Sequence, residues 1–410
     1  MLHAGHPDGV TLVGVGTESG EAKVAAMIRV AFFGHDSGDA AVRRRVRAMQ
    51  DDGVSVRGFM MRRQDRVATE WDNIDLGQTR DGAFAQRVAR IFSGARVAAD
   101  AKDALSDADV IYARNLDMLA CAFLAKRIAR LDTPVVYESL DVHRLLTRTD
   151  VVGKAMRWVE KSMLRRTVGL VVSSPGFLRN HFEKHYRGLY VPFLVENRLA
   201  AGSDFGPRPE PGAPGQVGSG AEERLRLGWV GNLRCQRSFD LLCALADHYP
   251  DRIEIKLHGQ PARTEIPVFE PEINKRANMS FAGRYRSPED LATIYAGLDL
   301  VWAGDFMEAG YNSDWLLPNR LYEGGYYATP AIAPVGTETG DWIERHACGF
   351  TIAEPLADTL PAMIGDVMRN DAALETCRNR LLAMTNEVFI EPKGFFSEVL
   401  ERALAGSCSK

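Results

Sequence analysis

Twice along this chain of 410 residues, short apolar runs alternate with helical stretches, and a segment rich in Gly, Pro and Ser (residues 201–222) separates the two rounds. In the first round Ile28–Gly34 (IRVAFFG), Val54–Met61, Asp109–Arg114, Pro134–Glu138 and Gly169–Ser173 read as strands. Between them Ala41–Asp51, Met118–Leu131 and Lys154–Arg166 read as helices. Near-continuous apolar runs belong to strands covered on both faces, the habit of parallel sheets. The second round has strands at Leu225–Val230, Ile253–His258, Met279–Phe281 and Leu298–Ala303, with helices at Phe239–His248 and Pro288–Gly297. Strands alternating with helices predict doubly wound α/β domains. The expected divisions are a flexible leader (1–26), a first Rossmann-like domain (27–200), the linker (201–222), a second Rossmann-like domain (223–385) and a C-terminal helix (386–410).

Composition narrows the function classes. Apolar residues at 46% and charged residues at 25% are ordinary globular values. No apolar run approaches the roughly 18 residues of a membrane span. The six cysteines (121, 235, 243, 348, 377, 408) show no CxxC spacing, so they read as reduced thiols of a cytosolic protein, and no zinc site is expected. Gly14, Gly16 and Gly20 lie in the leader with GxGxxxG spacing, which is not the dinucleotide fingerprint. Net charge is −4 but unevenly divided: residues 1–200 hold 30 Lys and Arg against 24 Asp and Glu, and the remainder 20 against 30. A basic first half points to an anionic surface facing it.

The stretch from Asn312 to Pro330 (NSDWLLPNRLYEGGYYATP) is the densest in chemistry. Pro318 suits the first turn of a helix. Asn319, Arg320 and Glu323 then share one face. A helix N-terminus attracts anions, and an Arg beside it adds a charge able to grip a phosphate. Glu323, a turn deeper, is placed to accept hydrogen bonds from sugar hydroxyls. A plain surface helix with an ion pair has the same spacing, so the residues alone leave both readings open.

Several of these residues together resemble the retaining GT-B glycosyltransferases of family 4. Pro318, Arg320, Leu321, Tyr322 and Glu323 match its P-x-(K/R)-L-(Y/F)-E variant, and Gly324-Gly325 and Pro330 follow as its donor-site signature does. The best-known pattern has two Glu separated by seven positions; Glu323 is the second, and the first position falls on Trp315, with Asp314 beside it. The resemblance implies a GT-B fold, two Rossmann-like domains facing each other across a cleft, with the last helix (Gly394–Ala405) returning to the first domain. It implies a pyrophosphate turn at Gly231 and Asn232, with Arg237 as a cation, and a loop beside the base at Gly283, Arg284 and Tyr285. It also implies an acceptor-facing strand end, where Asp141 would be the base and His143 would donate to the sugar or orient Asp141. A bland alternative has Asp141 capping the next helix and His143 on the surface.

The expected activity is metal-independent, retaining transfer of a sugar from a nucleoside diphosphate to a hydroxyl of a saccharide acceptor. The polysaccharide-type motif implies a lipid-linked acceptor, as in exopolysaccharide assembly. No cofactor and no nucleic-acid partner are expected. A sugar-nucleotide epimerase and a decayed nucleotide-sugar-binding protein are the rival readings. The segment Lys154–Arg166 puts Met156, Val159 and Met163 near one face and Arg157, Lys161, Arg165 and Arg166 elsewhere. With Arg43, Arg44, Arg45 and Arg47, it makes peripheral docking on the inner face of a membrane one expectation and packing on its own domain the other.

Overall fold

The computed structural model describes residues 27–63, 68–79, 84–202, 204–210 and 224–406; the leader and most of the linker lie outside the described residues. Seven strands make the first sheet: β1 (Arg29–Gly34), β2 (Ser55–Arg62), β3 (Asn73–Gln78), β4 (Val110–Arg114), β5 (Val135–Ser139), β6 (Gly169–Val172) and β7 (Pro192–Leu194). Six make the second: β8 (Leu225–Leu233), β9 (Ile253–Pro261), β10 (Met279–Gly283), β11 (Leu300–Trp302), β12 (Ala331–Pro334) and β13 (Gly349–Ile352). Their orders are β3-β2-β1-β4-β5-β6-β7 and β10-β9-β8-β11-β12-β13. The β1–β4 and β8–β11 pairings, like their neighbours, are parallel. The strand order reverses at these two pairings, where open α/β sheets form ligand crevices beyond the carboxyl ends.

The apolar run of β1 explains its burial. Ala31 and Phe33 point into one core cluster, Val30 and Phe32 into the cluster on the opposite face. Phe33 stacks on Phe59 with ring centroids 5.1 Å apart, and Phe32 on Tyr112 at 5.2 Å. Each such ring contributes about 1.5–3 kcal/mol through burial. The sequence hides β3, because NIDLGQ buries only Leu76 and carries polar residues on both faces at the sheet's edge.

Two local expectations need correction. β8 continues through Leu233, pairing Gly231, Asn232 and Leu233 with Gly259, Gln260 and Pro261, so Gly231 lies inside a strand and not after it. The helix expected at Pro288 begins at Leu291. Ser287 accepts from Arg44, while Asp290 accepts from the Arg286 N–H.

The chain crosses between the domains twice, and the crossings pair: Leu199 donates to Phe389 at 2.8 Å and accepts from Glu391 at 2.8 Å. The last helix, Phe395–Ala405, then packs Phe396, Val399, Leu400 and Ala403 beside Val30 and Phe32 of the first domain. Asp52 anchors its start by accepting from the N–H groups of Gly394 and Phe396. No described helix is long and apolar enough to cross a membrane.

Candidate functional site

The helix Asn319–Tyr326 lies on the second sheet with its first turn toward the first domain. Pro318 stands just before it in extended conformation (φ −76°, ψ 152°), one residue earlier than the sequence implies. The Gly pair sets how deep the helix lies. A Cβ on Gly324 would come 3.1 Å from Val301 Cγ1, and one on Gly325 would come 2.3 Å from the Phe389 ring. That close approach buries both Arg320 and Glu323.

Glu323 is 1% exposed and faces the first domain. Its Oε1 accepts from Arg44 Nη2 at 2.7 Å, and its Oε2 from the Tyr295 hydroxyl at 3.1 Å. A carboxylate has further lone pairs, so a hydroxyl can still be accepted beside these partners. Arg44 comes from the helix Ala40–Asp51 of the first domain, so this bridge spans the interdomain cleft. Around Arg44 and Asn319 the remaining space is about 10 Å³, room for one water.

Arg320 turns the other way. Its Nη2 donates to the carbonyls of Ala303 and Gly304 at 3.1 and 3.2 Å, while its buried Nε has no hydrogen-bond partner. Burial lowers its pKa, against Asp305 and Tyr295, which favour the cation. Burial alone would raise Asp305, but Arg234, the Met307 N–H, Ser313 and Arg320 outweigh it and hold the carboxyl below its usual range. Arg234 Nε lies 3.5 Å from Asp305. Extending the β8–β11 register by three residues sets Gly231 level with Gly304. Gly231 has φ +115° and open space where a Cβ would be, which suits close approach of a ligand's phosphate to the backbone.

The other sequence candidates fall into two groups. Tyr285 belongs with Arg320 and Glu323: burial and Glu323 push its phenol up, while Arg44 and Arg320 oppose. Gly283 (φ +80°) ends β10, and Arg284 and Asn232 are exposed. Arg237 donates to Glu354 at 2.7 Å and lies 4.7 Å over the Phe306 ring, half-exposed at the end of the switch point. Asp141 and His143 lie across the cleft in the loop after β5. Asp141 is exposed and does not cap the next helix; His143 does, its Nδ1 accepting from the Leu145 N–H at 3.2 Å. That bond leaves the proton of the neutral ring on Nε2. Asn312 clamps this loop to the second domain, accepting from the Val142 N–H at 2.8 Å and donating to the Val142 carbonyl at 2.7 Å. No direct bond joins Asp141 or His143 to Arg320 or Glu323 among the described residues.

Sequence reasoning missed Arg44, Arg234, Tyr295, Asp305 and Asn312, and it misread the arginine cluster. Arg43 bonds the Ser37 and Ala68 carbonyls, Arg44 bridges to Glu323, Arg45 to Glu138 and Arg47 to Glu70. Arg45 is buried with Arg114, Glu138 and Glu391 in one network. The helix Ala40–Asp51 is therefore an internal charge carrier rather than a basic surface. Arg234 had a signal: it stands three residues past Gly231 at a strand end.

Two parallel Rossmann-like domains, with switch-point residues meeting across a cleft, define the GT-B glycosyltransferase fold. The succinoglycan biosynthesis protein ExoL of Rhizobium meliloti (strain 1021) is 36% identical over 355 residues, covering 84% of this chain and 86% of that protein. The chain belongs to this ExoL family of succinoglycan biosynthesis proteins. No family model matches. Among solved structures, Anabaena HepE in complex with UDP-glucose superposes with TM-score 0.65 at 13% identity, covering 93% of this chain and 99% of that one. Sucrose-phosphate synthase of Thermosynechococcus elongatus does so with TM-score 0.66 at 16% identity, covering 93% and 100%.

Proposed function

We propose that the protein transfers a sugar from a nucleoside diphosphate to a hydroxyl of a lipid-linked saccharide during exopolysaccharide assembly, with retention and without a metal. The observation that carries this reading is the switch-point cluster. Arg320, with an unpartnered Nε, and Arg234 flank Asp305 beside the open Gly231 backbone, one turn from the cleft-facing Glu323. Cations at a diphosphate stabilise the leaving group as the bond from sugar C1 to the phosphate oxygen breaks. The acceptor oxygen forms the new bond to C1, and its proton passes to Asp141. His143 donates from Nε2, and Glu323 accepts from a donor hydroxyl. HepE, similar in fold, is known with UDP and UDP-glucose, which supports a donor of that class.

The chain would work at the inner face of a membrane, because the acceptor carries a lipid. The helix Val151–Leu164 supports this. Val151 and Trp158 are 80% and 71% exposed, Val152 and Val159 join them, and Lys154, Arg165 and Arg166 flank the stripe. The test is turnover of UDP-, ADP- and GDP-sugars on a membrane-extracted acceptor, with chelator present and the product anomer read from its H1–H2 coupling. Transfer with an unchanged anomer supports the reading; an inverted anomer removes retention. Interconversion of the sugar nucleotide without acceptor would make the protein an epimerase.

A further inference from the structure

The loop that carries Asp141 and His143 is held from two sides. Its own domain fixes the first part: Ser173 Oγ donates to the Leu140 carbonyl at 3.1 Å, and Ser139 Oγ to the Asp141 carbonyl at 3.0 Å. Val142, between the two candidate residues, is buried, and a buried backbone N–H and C=O must each find a partner. Both find it in the second domain. The Asn312 side-chain amide accepts from the Val142 N–H at 2.8 Å and donates to its carbonyl at 2.7 Å, pairing with Val142 as a residue of an antiparallel strand would.

Asn312 is itself fixed. It is buried, and its second amide hydrogen goes to the Glu308 carboxylate. An amide offers two donor hydrogens and an acceptor oxygen, so this set allows one orientation; turned over, the NH2 would face the Val142 N–H. The next residue, Ser313, is also buried, and its hydroxyl accepts from the Glu308 N–H at 2.9 Å while donating to Asp305 at 2.8 Å. Asp305 is the carboxylate that Arg234 approaches at 3.5 Å and that favours the Arg320 cation. An unbroken run of polar contacts therefore leads from the two arginines through Asp305, Ser313, Glu308 and Asn312 to Val142.

We propose that Asn312 is a positioning residue for sugar transfer, and that residues 305–313 form a brace setting the Asp141 loop at a fixed distance from the arginines of the donor site. This rests on the transferase reading, in which Asp141 takes the acceptor proton and Arg234 and Arg320 hold the diphosphate. Asn312 acts through Val142 and touches neither sugar nor phosphate. Without it, two buried backbone groups lose their partners at once, and the loop shifts to where water can satisfy them. A misplacement of about 1 Å at a reacting group can cost roughly 100-fold in rate, whereas the diphosphate contacts are made by other residues and stay.

Three variants of the full chain test this: Asn312→Ala, Ser313→Ala and, for comparison, Asn197→Ala, which removes a different interdomain hydrogen bond. The readouts are UDP affinity by calorimetry, kcat and KM with the donor and extracted acceptor that the wild type turns over, and hydrogen exchange of residues 140–146, which needs no ligand. Asn312→Ala should lower kcat about 10- to 100-fold with donor KM and UDP affinity unchanged, and its Val142 amide should exchange about tenfold faster. Ser313→Ala should move both readouts the same way by less. It leaves the bonds to Val142 in place, so a folding defect in Asn312→Ala cannot stand in for positioning. Asn197→Ala should keep the wild-type kcat and exchange.

Wild-type kcat or wild-type Val142 exchange in Asn312→Ala overturns the proposal. So does an equal fall in Asn197→Ala, which would make Asn312 a general tie between domains. A loss of UDP affinity in step with kcat would assign residues 305–313 to the donor site alone, and overturns it too. Any of these results leaves the transferase reading standing. A wild type that binds no nucleotide and transfers no sugar sinks that reading, and the brace with it.

Discussion

Arg320 and Glu323 sit one helical turn apart yet serve different partners, because one points along the sheet's carboxyl edge and the other across the cleft. Charge-assisted hydrogen bonds contribute about 1.5–3 kcal/mol each, so Arg320→Ala should weaken UDP binding roughly 10- to 100-fold by calorimetry. Unchanged affinity would remove Arg320 from the donor site. Arg44 acts through Glu323: removing it leaves a buried carboxylate without its cation, which costs up to about 3 kcal/mol. Denaturant midpoints should fall in Arg44→Ala and largely recover in Arg44→Ala with Glu323→Gln. Additive losses in the double variant would show that the bridge carries no coupling. Glu391 gives a pH signature. Burial raises its carboxyl to about 7, with Arg45 and Arg198 opposing. Between its unfolded value of 4.5 and about 7 the folded state holds a proton that the unfolded chain has released, so stability declines as pH rises through that window. The span corresponds to roughly 3 kcal/mol. Glu391→Gln should therefore gain thermal stability relative to wild type on going from pH 5 to pH 8; parallel curves would reject this.

Two helices show how one composition serves opposite ends. Ala40–Asp51 carries four arginines in five residues, and all four are engaged by carbonyls or carboxylates within the protein. Val151–Leu164 looks milder in sequence, but Met156, Met163 and the fully buried Leu164 pack inward, while Val159 joins the exposed stripe. The register decides this, because Gly153, Glu160 and Leu164 are the residues most fully turned to the domain. A Cβ on Gly153 would lie 2.1 Å from the Arg148 carbonyl oxygen. Arg157 also faces inward, bonding the Leu146 and Arg148 carbonyls, so it is not available to lipid. Trp158→Glu with Val151→Glu should abolish co-sedimentation with anionic vesicles. Lys154→Glu with Arg166→Glu should make the loss larger at low salt than at high salt, each surface cation contributing about 1 kcal/mol. Binding untouched by all four changes would rule out this face.

At the scale of the whole molecule, many of the contacts between the two domains are polar. They include Arg44 to Glu323 and Ser287, Val142 to Asn312, Asn197 to the Leu317 carbonyl at 3.0 Å, Ser174 to the Trp315 carbonyl and Arg179 to Glu338, with Trp315 and Leu316 packed against the first domain's core. Such contacts can open and close around a substrate. At Gly176 the two backbones come close, since a Cβ there would lie 2.5 Å from the Trp315 carbonyl oxygen. Gly176→Ala should wedge the domains apart, raising the radius of gyration in small-angle scattering and lowering transfer more than nucleotide affinity. Identical scattering curves for variant and wild type would show that the seam tolerates the wedge.

The sequence by itself determined the architecture: two parallel sheets, the positions of their central strands and the helix bearing Arg320 and Glu323, while the edge strands β3, β7 and β13 came from the structure. Apolar periodicity and turn residues are local signals, and β1 and β8 are so apolar that few folds accept them. Gly324 and Gly325 were legible only as part of the donor-site signature; their close packing against Val301 and Phe389 came from the structure. Tertiary structure alone decided which charges are available. Arg43, Arg44, Arg45 and Arg47 read identically in sequence, but each meets a carboxylate or carbonyl 6 to 279 positions away. The same holds for Asn312 at Val142 and for Arg234 at Asp305. An ion pair or an orphaned donor depends on direction and distance between remote segments, and no spacing along the chain records either.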